Sequence, residues 1–149
     1  MPVHRSARFR IPRKLEEVFE ALSRPRDFFL ALPLTSEPRA FRGSDIVVYL
    51  SAFGFKGEAV FSYVITRRSR GFTIESSLIG ELLMGFFRPP RVDLTFRLEA
   101  TGADGETDVT FEVYFRTSPL RERLSGVDRE VELFLLKVPT AISAAVERA

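Results

Sequence analysis

Side chains able to carry out covalent or proton-transfer chemistry are scarce in this chain. It has one histidine, His4, and no cysteine. Thiolate catalysis, a disulfide framework, a Cys–His pair, thiolate zinc sites and iron–sulfur clusters are therefore excluded. His4 falls on the solvent side of an N-terminal strand pattern, so a Ser–His–acid triad would have to work from an exposed strand. Glu16, Glu17 and Glu20 are close enough in sequence for a carboxylate-only metal site, yet they read as the solvated face of a helix. Gly54 and Gly57 lack the spacing and the lysine of a phosphate loop. Glu58, Glu75 and Glu81 could act as acid or base only if buried, and the alternation around them gives no sign of that. No catalytic set, no metal-ligating set and no cofactor are expected.

The elements that must position any site follow from composition and periodicity. At 149 residues, with 45% apolar and 28% charged residues, the chain matches a globular protein, expected to form one domain over residues 1–149. The net charge is only +2, although 22 residues are basic, three of them lysine (Lys14, Lys56, Lys137) and nineteen arginine. Arginine forms bidentate pairs with carboxylates, and these arginines are dispersed among acids, so no nucleic-acid partner is expected. Arg5, Arg8 and Arg10 interrupt any leader-like apolar run, and no stretch approaches the roughly 18 apolar residues needed to span a bilayer. Together with the lack of cysteine, this fits a cytoplasmic location.

From Val3 to Ile11, Val3, Ala7, Phe9 and Ile11 alternate with His4, Ser6, Arg8 and Arg10, as a half-buried strand requires. Arg5 breaks the apolar side, which suits an edge. Pro12 fits a first helical position. Leu15, Val18, Phe19 and Leu22 then recur at helical spacing until Pro25 stops the helix near Ser23. A second short helix carries Phe28, Phe29 and Leu32. Strands are predicted over 38–42, 46–53, 57–67, 72–79, 91–100 and 108–117. Val92, Leu94, Phe96 and Leu98 share one face, as do Val109, Phe111, Val113 and Phe115, and Thr101–Gly105 is the turn of their hairpin. Ile46–Phe53 is apolar on both sides and its faces cannot be assigned. Ser125 and Asp128 resemble a capping box opening a last helix. Its stripe runs through Val127, Val131, Phe134, Leu135, Val138, Ile142, Ala145 and Val146, and Pro139 within it predicts a kink. Short turns force antiparallel pairing. The expected class is α+β, a seven-stranded curved antiparallel sheet with a two-helix insertion after the first strand and a long C-terminal helix.

This order, with the opening RFRIPRKLEEVFEALSRPRDFFLALP (Arg8–Pro33) and the amphipathic last helix, resembles the START-like, helix-grip superfamily (SRPBCC). That group includes pollen-allergen-type carriers, lipid-transfer domains, polyketide cyclases and carbon monoxide dehydrogenase subunit-like proteins. The resemblance implies a cavity between the concave sheet face and the last helix, lined by Phe61, Tyr63, Phe96, Phe111, Phe115, Phe134 and Val138. With 15 phenylalanines and no tryptophan, its walls would be aromatic and poor in donors, suiting a lipid, isoprenoid or aromatic polyketide. Tyr63 would fix the ligand's orientation. The same side chains could instead fill the interior, and the pattern leaves both arrangements open.

Leu83, Met84, Phe86 and Phe87, within Gly80–Pro90, crowd a stretch without a clean period. They would either pack inside or form an apolar lip over the cavity, a homodimer contact or a peripheral membrane contact. The functional expectation is binding or transport of a hydrophobic small molecule, without catalysis. The alternatives are a cyclase-like or hydrolase-like enzyme, needing a buried polar group such as Tyr63 or Glu75, and a membrane or complex adaptor related to the carbon monoxide dehydrogenase subunit-like proteins.

Overall fold

A computed structural model describes residues 3–53, 55–79, 93–116 and 126–149, leaving aside the side chains of residues 35, 42, 55 and 127. Strands β1 (Val3–Ile11), β2 (Thr35–Arg42), β3 (Asp45–Ala52), β4 (Phe55–Phe61), β5 (Val64–Arg68), β6 (Gly71–Ile79), β7 (Asp93–Ala103) and β8 (Glu106–Arg116) form one antiparallel sheet. The order is β1-β8-β7-β6-β4-β3-β2, with β5 also paired to β6. Helices α1 (Leu15–Leu22) and α2 (Pro25–Ala31) follow β1, and α3 (Val127–Arg148) closes the chain. The expected α+β class with a curved antiparallel sheet and a long final helix is the observed one. The expectations for Gly80–Pro90 and Ser125 lie outside the described residues.

The strand expected over 57–67 is two strands, and serines divide it. Ser62 donates its N–H to the Ser77 carbonyl at 2.8 Å, and its own carbonyl accepts from the Ser76 hydroxyl at 2.8 Å. Ser77 N–H in turn donates to Ser62 Oγ at 3.2 Å. Side-chain bonds of this kind replace ladder bonds and let the chain step sideways. One edge of β6 is thereby shared: β5 runs along Gly71–Glu75 and β4 along Leu78–Ile79. The other edge takes β7, starting where Gly71 lies opposite Thr101. Only glycine fits there, because a Cβ would run into the Ala100 carbonyl oxygen.

The alternating residues of β7 and β8 point as their pattern predicts. Leu94, Phe96, Leu98 and Ala100, with Val109, Phe111, Val113 and Phe115, are buried on the concave face. In β3, whose faces the sequence leaves open, Ile46, Val48 and Leu50 turn inward. Tyr49 turns outward and carries the Arg39 guanidinium 5.1 Å above its ring, so its apolar surface is covered by a cation–π contact.

Helix α1 starts at Leu15 rather than at Pro12. The Arg13 backbone is already committed, its N–H to the Ile11 carbonyl at 2.8 Å and its carbonyl to the buried Thr107 hydroxyl at 2.8 Å. Pro25 occupies the first turn of α2, where its missing N–H costs no bond. Helix α3 buries Val131, Phe134, Leu135, Val138, Ile142 and Val146 and runs unbroken through Pro139. Gly126, at φ +62°, is its N-cap, and no side chain caps that end. Asp128 instead takes both hydrogen bonds of Arg5, at 2.6 and 2.9 Å. Glu147, at the far end, does the same for Arg13 at 2.9 and 2.5 Å. These hydrogen bonds hold both carboxyls below their ordinary range. Both pairs are exposed, so they orient α3 along β1 more than they stabilise it.

Candidate functional site

Inside the grip the side chains are phenylalanine rings in mutual contact. Phe96, at the centre of β7, lies 6.1 Å from Phe61, 6.2 Å from Phe111 and 5.8 Å from Phe134, centroid to centroid. Phe134 is 5.9 Å from Phe111. Phe29 of α2 closes on Phe61 at 5.1 Å, and Phe28 closes on Tyr63 at 5.8 Å. These spacings lie within the range in which aromatic pairs add attraction beyond area burial. Among the described residues, then, the space between the sheet and α3 is filled to a large extent by the side chains expected to line it. Phe61, Phe96, Phe111, Phe115 and Val138 are fully buried, and Phe134 is nearly so.

Open volume lies at the mouth of the grip. A cleft of about 540 Å³ runs between the end of α2, the β3–β4 turn and the first turns of α3. Pro33 and Leu34 form one side, Ser51, Ala52 and Lys56 another, and Glu130, Leu133 and Lys137 the helical wall. Phe53 and Phe134 form the inner wall, with ring centroids 5.6 Å apart. Phe53 also reaches Phe115 at 6.1 Å and Phe96 at 6.4 Å, so the wall of the cleft is continuous with the buried ring cluster. Its backbone is unusual. Phe53 sits at φ +54°, a left-handed conformation that costs a bulky L-residue roughly 1–2 kcal/mol. That conformation folds the turn inward and leaves the ring only 5% exposed.

Of the residues predicted to line a cavity, Phe134 lines the cleft, while Phe96, Phe111 and Phe115 stand directly behind it. Phe61 and Val138 lie deeper. Tyr63 sits apart, under the α1–α2 corner. Its hydroxyl lies 3.1 Å from the Leu22 carbonyl and 3.2 Å from that of Ser23, where α1 leaves carbonyls without helical partners. Burial, and secondarily the charge of Asp27, pushes the phenol well above its ordinary range, so it remains a neutral donor. Leu83, Met84, Phe86 and Phe87 lie outside the described residues. Sequence reasoning missed Phe53, Leu34 and the two lysines. The one signal pointing to the lysines is their rarity beside nineteen arginines.

The polar groups near the interior are engaged with backbone. Ser76 donates to the Ser62 carbonyl and Thr107 to that of Arg13. Glu75 is exposed on the outer face, and Glu58 is exposed with Arg39 at 3.5 Å. His4 is also exposed, its ring edge-on to Tyr114 at 6.4 Å. Glu16 pairs with Arg67, whose guanidinium stacks 4.1 Å above Phe19. Among the described residues no three carboxylate or histidine side chains converge as a metal site would require, and no helix is long and apolar enough to cross a membrane.

No protein-family model and no curated protein match the sequence. Solved structures do. A START superfamily protein from Mycobacterium smegmatis superposes with a TM-score of 0.69 at 12% identity, over 97% of this chain and 97% of that one. The Zhui aromatase/cyclase from Streptomyces sp. R1128 gives 0.63 at 15% identity, over 98% of this chain and 92% of that one. Norcoclaurine synthase from Thalictrum flavum, solved with dopamine and hydroxybenzaldehyde, gives 0.62 at 11% identity, over 99% and 86%. The chain has the START-like helix-grip fold. At these identities the likeness is one of fold.

Proposed function

We propose that this protein binds a hydrophobic small molecule (a lipid, isoprenoid or aromatic polyketide) and carries it without changing it. The ligand would enter the cleft between the β3–β4 turn and α3 and rest against Phe53 and Phe134. The observation that carries this reading is the continuity of the cleft wall with the buried rings. A ligand resting against Phe53 and Phe134 meets the outer surface of that ring cluster and shields its own apolar part from water. The cleft volume lies within the roughly 300–1,000 Å³ of small-molecule sites. The neighbours in fold support the binding part of this reading, since one is an aromatase/cyclase and another, a synthase, is solved with two small aromatic molecules. Binding is preferred to catalysis because the hydroxyls nearest the interior are bonded to backbone carbonyls and Glu75 points outward.

Extraction of the natively purified protein with organic solvent, followed by mass spectrometry, tests this directly. The expected result is a co-purifying apolar compound at near-stoichiometric amount, lost or reduced in Leu133→Glu, which puts a charge on the exposed lining of the cleft. Extracts that are empty across several expression hosts would count against a carrier. A compound released chemically altered after incubation would replace the carrier reading with an enzymatic one.

A further inference from the structure

The charge of the cleft narrows the class of ligand, an inference that rests on the binding reading above. Only three of the 22 basic residues are lysines, yet two of the three, Lys56 and Lys137, are among the described residues that line the cleft. They come from different elements, β4 and the third turn of α3, so no single helix or strand pattern brings them together. Among the described residues six arginines, Arg5, Arg10, Arg13, Arg39, Arg67 and Arg97, have a carboxylate as partner, whereas others, Arg8 and Arg129 among them, have no acidic partner. Among the described residues neither lysine ammonium at the cleft has one. Glu130 also lines the cleft and opposes one of the two charges, leaving the rim with a net positive charge.

We infer that the ligand is an anionic amphiphile, with its carboxylate or phosphate between Lys56 and Lys137 and its apolar part against Phe53 and Phe134. Lysine suits this position better than arginine. It is a compact charge on a flexible stem with three rotatable donors, able to follow a headgroup that sits at a water-facing rim. The apolar wall and the cationic rim lie on one cleft, in the order that such a molecule presents its own two ends. The apolar part would supply most of the affinity, and the charge pair would set polarity of entry and discriminate among headgroups.

The test compares three probes of equal chain length, decanoate, decan-1-ol and decylamine, by titration calorimetry at low salt below their aggregation concentrations. Decanoate is expected to bind about fivefold or more tighter than decan-1-ol, as one exposed ion pair predicts, and decylamine weakest. Lys56→Gln and Lys137→Gln are each expected to lower decanoate affinity about fivefold while leaving decan-1-ol within about twofold, because the neutral probe has no charge to lose. Lys14→Gln, outside the cleft, should change neither. Molar salt should erode the preference for decanoate. Equal binding of acid and alcohol, preference for the amine, or a decanoate preference that survives both substitutions overturns the inference while leaving the cleft a binding site. Failure of all three probes to bind overturns the binding reading itself. Decyl phosphate, run in parallel, distinguishes a phosphate site from a carboxylate site by which of the two depends more steeply on the lysines.

Discussion

Phe96→Ala is expected to lower the stability of this protein by about 3–5 kcal/mol, the range for a phenylalanine removed from a packed core. Its ring sits at the middle of the aromatic cluster: Phe29, Phe53, Phe61, Phe111 and Phe134 all lie within 6.4 Å of its centroid. Its side chain is fully buried. The surrounding rings come from strands, a turn and two helices, so they cannot collapse together into the space. In a chain of this length that loss corresponds to a fall in Tm of about 10 °C or more, measurable by calorimetry. The space left would be dry and lined by aromatic carbon, and such cavities accept benzene. Partial recovery of Tm in benzene-saturated buffer is therefore expected. A loss of under about 1 kcal/mol would mean that the interior around Phe96 is not packed as described.

The second large effect is at Phe53, and its sign depends on what replaces the ring. Phe53→Ala removes contacts to Phe96, Phe115 and Phe134 and should cost about 3 kcal/mol. It leaves the strained backbone at φ +54° in place. Phe53→Gly removes one carbon more, but relieves about 1–2 kcal/mol of left-handed strain against an entropic cost of about 0.5–1 kcal/mol for glycine. The glycine variant should thus be at least as stable as the alanine variant, the reverse of the order expected from buried carbon alone. Both variants open the cleft towards Phe96 and Phe115, so both should take up neutral apolar probes more readily than the parent chain. Denaturant unfolding of the three chains gives the stability order. A glycine variant clearly weaker than alanine would show that the turn at Phe53 is not held in the left-handed region.

Much of this fold is legible in the sequence, and the reason can be read from β7 and β8. A strand with one face on a core and one in water must alternate, and Leu94, Phe96 and Leu98 against Thr95, Arg97 and Glu99 do so without a break. The helical punctuation is equally direct, because Pro25 fixes where α1 ends and α2 begins. Other features rest on long-range contacts that no local pattern carries. The division of β4 from β5 is made by hydroxyls of Ser62 and Ser76 bonding across fifteen or so residues of chain. β3 hides its faces because outward Tyr49 is as apolar as its inward neighbours until Arg39 covers it. The aromatic interior is legible, but the cleft is not. Phe53 carries no signal for a left-handed backbone, which glycine or asparagine would have suggested. Lys56 and Lys137 are 81 positions apart in sequence and come to line one cleft only once α3 lies against the sheet.

The central claim, that the cleft is where an apolar ligand binds, is tested most directly by amide chemical-shift mapping of the full chain titrated with decan-1-ol. A neutral probe keeps the result independent of the lysines. Saturable shifts are expected on Leu34, Ala52, Phe53, Leu133 and Phe134, extending inward to Phe96 and Phe115. Shifts confined to the groove of about 440 Å³ between α2 and the end of α3, around Arg24, Asp27 and Arg148, would contradict the claim. So would the absence of saturable shifts anywhere in the chain.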